Sequence, residues 1–177
     1  DEALELLEKW RTTNSPEEKV AAKKIATLLG YHPLALDVAG SQLERSVCST
    51  PFIDFERDLA DQTSDALELG KELVGLLPTG HEVSIAKTFL VSINQMEEEG
   101  KDFLRLASVL ATAPICGSLI SKIFSEVDGL TITTGKPRAE KAISLATMQS
   151  LAKREGDNPP AWSVHPLISR TMRFTPD

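Results

Sequence analysis

Apolar residues recur at helical spacing through the first third of the chain, where short polar stretches separate them. The run Ser15-Pro16-Glu17-Glu18 is typical of a helix start, because the serine caps the first turn and the glutamate reaches back. Four short helices with brief connections favour a compact helical bundle. The pattern places these helices over 2–11, from Pro16 to Leu29, from Pro33 to about Val47, and from Pro51 onward.

The remainder of the chain shows a different order of elements. A polar tip rich in Gly, Asn and Pro at 156–160 lies between two short extended runs, which predicts a hairpin, and a last helix begins near His165-Pro166. Helices followed by a hairpin are the order of a winged helix, a member of the helix-turn-helix class. The helices before the hairpin are predicted over 83–95, 101–111, 117–125 and 138–151, with a solvated turn at 97–100 and a loop at 128–137.

These elements predict a mainly α fold, in which a small helical bundle precedes a winged-helix domain with a short β-hairpin. We place the bundle at 1–62 and a linker with one short helix at 63–81. The winged-helix domain takes 82–177. The boundary follows Pro78-Thr79-Gly80, which interrupts the leucine-rich run before it.

Composition narrows the class of protein. The chain has 177 residues with 41% hydrophobic and 25% charged residues, as in ordinary soluble domains. No apolar run approaches the ~18 residues that a membrane span needs, so we expect no membrane partner. Cys48 and Cys116 lie far apart, which argues against a disulfide or metal framework and favours a reducing cytoplasmic location. The chain begins with Asp1 rather than Met, which suggests an excised fragment.

The net charge of −7 is unevenly distributed and disfavours nucleic-acid binding. Residues 1–81 carry 8 Lys+Arg and 15 Asp+Glu, whereas 82–177 carry 11 of each. The helix at the recognition position offers Arg138, Lys141 and Gln149, but DNA affinity needs several cations on phosphates. We do not expect nucleic acid as a partner. A winged-helix DNA-binding transcription regulator stays as an alternative function.

Catalytic chemistry has no recognisable motif in this sequence. No Gly-rich loop matches the pattern G-x-x-x-x-G-K-[ST] that cradles phosphates, and no Ser/His/Asp arrangement has a nucleophile elbow. The three histidines follow no metal-ligand spacing. We therefore predict no catalytic residue and no metal site. A further alternative function is a purely structural adaptor that holds neighbouring domains.

Two places in the sequence are candidates for ligand contact. Gly30 to Leu36 ends one helix at a glycine and starts the next at Pro33, so a corner with an exposed proline lies at a helix N-terminus. Such a place suits a flat ring or an anion, although it is also a common helix-helix corner. His165 precedes the last helix, where it can either bind an anion or cap its own helix.

The two candidate places carry a resemblance to the NB-ARC group of STAND signalling NTPases, which includes plant resistance proteins, apoptotic activators and microbial relatives. Gly30-Tyr31-His32-Pro33-Leu34-Ala35-Leu36 is similar to the Gly-x-Pro-Leu-Ala motif of that family, with one extra residue before the proline. Trp162-Ser163-Val164-His165-Pro166-Leu167-Ile168 resembles the end of its winged helix, where a Met-His-Asp-type motif lies. The resemblance covers nearly the whole chain.

The resemblance implies a nucleotide-switched regulatory module. Pro33, followed by Leu34, would pack on the adenine, and His165 would contact the β-phosphate of ADP. In the family the nucleotide lies between an upstream P-loop domain and these two parts. ADP holds the inactive arrangement, and exchange for ATP lets the winged helix swing and the protein oligomerise. The implied partners are that P-loop domain, a downstream repeat or sensor domain and further copies of the protein, in signalling of innate immunity or cell death.

Departures from the family pattern alter these expectations. Val164 replaces the usual Met, and Pro166 replaces the usual Asp, which removes a carboxylate and should loosen the inactive state. The P-loop lysine and the magnesium-binding acids are absent from this sequence. We therefore expect the chain not to be an enzyme alone, and its parent protein to be the NTPase that binds ADP or ATP.

Overall fold

The chain folds mainly into helices with one small antiparallel sheet, which confirms the predicted fold class. The computed structural model describes residues 2–48, 50–61, 66, 69–71, 73, 80–110 and 113–174. The predicted short helix of the 63–81 linker falls largely outside these described residues. Contacts divide the chain into two units, Asp1–Asn94 and Gln95–Asp177.

The first unit contains five described helices. Local signals explain where several of them begin. Ser15 Oγ accepts a hydrogen bond from the Glu18 N–H at 3.1 Å, and Glu18 Oε2 accepts from the Asn14 N–H at 2.8 Å, so the predicted capping arrangement forms at the start of the second helix. The helices are α1 (Glu2–Glu8), α2 (Pro16–Leu28), α3 (Pro33–Arg45), α4 (Pro51–Ala60) and α5 (Glu82–Asn94).

The core of the first unit is formed by apolar side chains from each of these helices. Helix α1 packs on α3, and α2 packs on α4. A side chain at Gly40 would collide with the indole of Trp10, whose Cδ1 would lie 2.3 Å from the added Cβ. The Trp10 Nε1–H donates to Asp37 Oδ1 at 2.9 Å, which holds the ring against α3. The largest fully buried side chains of this unit are Leu7, Ile25, Leu29, Leu36, Leu43, Phe52, Leu69, Leu73, Ile85, Phe89 and Ile93.

Helix α5 belongs to the first unit, whereas the sequence placed it at the start of the winged-helix domain at 82–177. The reason is its packing on α3. The Gln42 side-chain amide of α3 donates to the Thr88 carbonyl oxygen at 2.9 Å and to Ser92 Oγ at 2.7 Å. The division by contacts therefore comes after Asn94 and not at Gly80.

The second unit has the winged-helix order of elements. Strand β3 lies in the middle of an antiparallel sheet of order β1-β3-β2, with Ile115 opposite Trp162 and Ala152 opposite Val164. The hairpin predicted from the polar tip is present. The elements are α6 (Glu98–Val109), β1 (Ile115–Cys116), α7 (Gly117–Asp128), α8 (Ile132–Met148), β2 (Ala152–Asp157), β3 (Pro160–Val164) and α9 (Pro166–Phe174).

Two assignments from the sequence are wrong in this unit. The region 128–137, predicted as a loop, contains the last residue of α7 and the first six of α8, because Thr131 Oγ1 accepts from the Thr134 N–H at 3.4 Å and starts α8 early. The turn predicted at 97–100 is mostly the first turn of α6. Gly100 is buried there, and a Cβ would lie 3.0 Å from Leu145 Cβ.

The helices also bear on the expected absence of a membrane partner. Among the residues that the structure describes, no helix is both long enough and apolar enough to cross a membrane.

Candidate functional site

The corner between α2 and α3 is built from two consecutive residues in left-handed conformation. Gly30 has φ 56° and Tyr31 has φ 54°. The Tyr31 N–H donates to the Ala26 carbonyl oxygen at 3.0 Å, and the His32 N–H donates to the Leu29 carbonyl oxygen at 3.0 Å. Glycine adopts this conformation freely, but a residue with a Cβ does so at a cost of roughly 1–2 kcal/mol. The corner therefore holds a strained tyrosine, and this residue is 56% exposed.

His81 lies beneath this corner, and sequence reasoning missed it. A Cβ on Gly30 would lie 2.6 Å from His81 Cδ2, so the glycine makes room for the imidazole. The ring Nδ1 lies 3.0 Å from the Leu28 carbonyl oxygen, to which it donates in the matching tautomer. His81 immediately precedes α5, and its own carbonyl accepts from the Ile85 N–H at 3.0 Å. His81 thus links the end of α2 to the start of α5 through a hydrogen bond.

Pro33 is exposed at the first position of α3, as the sequence predicts. It lines an open pocket of about 300 Å³ together with Tyr31, Leu36 and three residues of α1, which are Glu2, Ala3 and Leu6. Leu34, its neighbour in the motif, is half-buried and lies outside this lining. The pocket offers an apolar floor and one carboxylate, which suits a flat heterocycle that carries an amino group.

The helix N-terminus at the corner is partly occupied by the protein itself. His32 Nδ1 accepts a hydrogen bond from the Ala35 N–H at 3.4 Å and so caps α3. An anion at this position would compete with the imidazole for that donor. The geometry accordingly favours the flat-ring interpretation of the corner over the anion interpretation.

His165 occupies a similar position before α9. Its Nδ1 accepts from the Leu167 N–H at 3.2 Å, and its carbonyl oxygen accepts from the Ser169 N–H at 3.1 Å. The residue as a whole is exposed, and partial burial of its imidazole lowers the pKa of the ring. A capping Nδ1 places the proton of the neutral ring on Nε2, and Nε2–H is a hydrogen-bond donor. Capping and phosphate binding can therefore use different nitrogens of one ring.

A pH dependence of the second unit follows from the lowered pKa of His165, whose cause is partial burial. Since the folded pKa of His165 lies below 6.5, the unfolded chain binds the proton more tightly and stability falls as pH drops below 6.5. We expect the free energy of unfolding, measured by urea denaturation, to decrease between neutral and mildly acidic pH. His165→Asn keeps a capping side chain and does not titrate, so its slope should be smaller. Equal slopes in both proteins would contradict the assignment.

Carboxylates of the same unit titrate in a separate range. The Lys101 ammonium lowers the pKa of Glu98 below 4.5, and the Lys141 ammonium lowers the pKa of Glu99 below 4.5. Their contribution to stability is present above 4.5 and is lost as pH falls through the lowered values. The change in unfolding free energy that is due to His165 can therefore be measured without interference from Glu98 and Glu99.

Helix α8 bears on the DNA-binding alternative. Lys141 pairs with Glu97 at 2.7 Å and with Glu99 at 2.8 Å, and Arg138 pairs with Asp102 at 2.6 Å and also with Asp128. These acids raise the pKa of Lys141 and of Arg138. Gln149 is buried. The three side chains that the sequence offered to DNA are thus ion-paired or inaccessible, which disfavours phosphate binding on this face.

The β2–β3 hairpin has a similar balance of charge. Arg154 lies 3.2 Å from Asp157, and Lys153 lies 3.6 Å from Glu155. Within the described part of the chain, no group of three His, Cys, Asp or Glu side chains is placed to hold a metal ion. Of the places for ligand contact that the sequence predicts, the structure describes the Pro33 pocket in the first unit and the His165 ring in the second.

No protein-family model and no curated protein matches this sequence.

Proposed function

We propose that this chain is the regulatory helical and winged-helix part of a nucleotide-switched signalling protein of the NB-ARC group. In this proposal Pro33 packs on the adenine and His165 donates to the β-phosphate of ADP, while an upstream P-loop domain holds the nucleotide. The observation that carries the proposal is the exposed Pro33 ring on an apolar pocket beside Tyr31. Adenine has the size and flatness for such a surface.

Three features of the pocket support adenine over a purely apolar ligand. Tyr31 and Pro33 both line the pocket, and aromatic or proline rings pack well on a heterocycle. Glu2 lines the same pocket, and its carboxylate can accept a hydrogen bond from an exocyclic amine. Tyr31 retains its strained φ of 54°, and strained residues cluster where a side chain has a role beyond packing.

The state of His165 supports the phosphate contact. Because burial lowers its pKa, the ring is neutral at physiological pH and acts as a hydrogen-bond donor through Nε2 rather than as a cation. ADP that makes these contacts would favour one arrangement of the domains of the parent protein. A ligand that binds this arrangement better than others keeps the switch in one state, and a ligand with different phosphates releases it.

The Pro33 contact can be tested in the full-length protein that contains this chain and its P-loop domain. We expect Pro33→Ala to weaken ADP binding about fivefold, since a lost ring contact is worth roughly 1 kcal/mol. Pro16→Ala is the matched control, because Pro16 is also an exposed proline at the first position of a helix. Titration calorimetry with ADP measures both. Equal affinities of the two variants would count against the adenine contact.

A further inference from the structure

An open groove of about 410 Å³ lies on the first unit, where α2 and α4 pack together. Its lining combines apolar side chains with two lysines of α2. Val20, which is 55% exposed, lines the groove together with Leu28 and Ala60. Lys23 and Lys24 supply positive charge in the same lining. The groove therefore offers an apolar surface that is accompanied by cations.

One of the two lysines is available to an anionic group. Lys24 Nζ lies 3.6 Å from Glu56 Oε1 of α4, and both side chains line the groove. Lys23 is exposed, and among the residues that the structure describes it forms no ion pair. The Thr27 hydroxyl donates to the Lys23 carbonyl oxygen at 3.0 Å, so this hydroxyl is engaged within α2. A carboxylate that enters the groove would therefore find its partner at the Lys23 ammonium.

The charge of α2 is opposite to that of the surrounding sequence. Residues 1–81 carry 8 Lys+Arg and 15 Asp+Glu, and α2 holds three of these cations but only two of these acids. One of the two acids, Glu18, is buried. The remainder of this stretch would repel an acidic partner, whereas the exposed lysines of α2 would attract it. Such complementarity directs a partner to one surface.

We propose that the α2–α4 groove binds an amphipathic helix of another protein, which carries carboxylates beside its apolar face. Val20 and Leu28 are eight residues apart, which corresponds to roughly 12 Å or about two turns of α2. A helix bound in a groove makes its contacts over a similar length, through residues at positions i, i+3, i+4 and i+7. A contact of this size is smaller than a standard interface, so the binding is weak. It requires no nucleotide and can succeed or fail separately from the ADP contacts.

Fluorescence anisotropy of a labelled synthetic peptide with the 1–177 chain measures this binding. The probe is a helix of about 16 residues, with leucines on one face and glutamates beside them. We expect Lys23→Glu to weaken its binding at least about fivefold, because a carboxylate then replaces the cation that the glutamates meet. Lys9→Glu is the matched control, since Lys9 is an exposed lysine of the same unit and lies outside the groove lining. Absence of binding, or equal losses of affinity in the two variants, would overturn the proposal.

A second pair of variants tests the apolar part of the groove. Val20→Asp should also weaken binding at least about fivefold, whereas Val47→Asp, at a fully exposed valine outside the groove lining, should have little effect. A peptide of the same composition with its leucines spread around all faces should bind more weakly, since it has no apolar face. Equal binding of this peptide would reduce the interaction to charge alone and contradict the proposal. Self-association of the chain that Lys23→Glu abolishes, measured by sedimentation velocity, would assign the groove to a second copy and equally overturn it.

Discussion

Replacing His165 with aspartate in the full-length protein is expected to weaken ADP binding by about 10- to 100-fold while the start of α9 stays intact. A hydrogen bond to a charged phosphate is worth roughly 1.5–3 kcal/mol, and a carboxylate in place of the imidazole adds repulsion. Aspartate is a good residue before a helix, so it can accept from the Leu167 N–H as the Nδ1 of His165 does. The substitution thus separates the capping role from the ligand role.

Two measurements distinguish these roles of His165. The ADP that remains bound after purification, quantified by chromatography, reports the ligand contact, and urea denaturation reports the cap. Thr131→Asp is the matched control, because Thr131 caps α8 in the same unit and receives the same charge. If His165→Asp retains as much ADP as Thr131→Asp, the phosphate contact is refuted. His165→Ala should lose both the cap and the nucleotide.

Arg138→Ala is expected to lower the free energy of unfolding of the second unit by about 1–3 kcal/mol. The guanidinium pairs with Asp102 and Asp128 and lies 4.9 Å above the centre of the Phe124 ring. The side chains of Arg138, Asp102 and Asp128 are 30%, 31% and 23% exposed, so solvent only partly screens the pairs. Truncation would leave the Asp128 carboxylate without this cation and would uncover the ring of Phe124.

The two tryptophans make this measurement specific to one unit. Trp162 lies in β3, so urea unfolding followed by its fluorescence in a Trp10→Phe background reports the second unit. Lys136→Ala is the control on the same helix, because the Lys136 side chain is 63% exposed and its Nζ lies 3.6 Å from Glu140 Oε1, a distance typical of a weak ion pair. We expect that control to change stability by less than about 0.5 kcal/mol. Similar losses of unfolding free energy in both variants would show that the contacts of Arg138 with Asp102, Asp128 and Phe124 do not stabilise the unit.

The sequence predicts features that depend on local chemistry. Ser15 and Glu18 form their hydrogen bonds within one helical turn, and the hairpin at 152–164 follows from a polar tip between extended runs. Pro33 is exposed because a proline at the first helical position needs no partner for its nitrogen. In each of these cases the residues that determine the structure are neighbours in the chain.

Features that depend on residues distant in the sequence cannot be predicted from local chemistry. Gly135 and Pro137 indicate a loop by local rules, yet both lie inside α8. Gly135 is present because Ser125 of α7 lies so close that an added Cβ would be 2.2 Å from its Oγ. The pocket at Pro33 needs three residues of α1, and Gly30 makes room for a histidine more than fifty positions later. Tertiary packing overrides the local preference at each of these positions.

Position 31 shows opposed demands on one residue. Glycine would adopt the backbone of the corner without strain, so stability of the folded chain alone favours glycine there. Glycine would also remove the ring that forms one wall of the pocket. A screen for thermostable variants would therefore select changes at Tyr31 that erase the surface on which a ligand would rest, and stability and recognition should be scored separately at this corner.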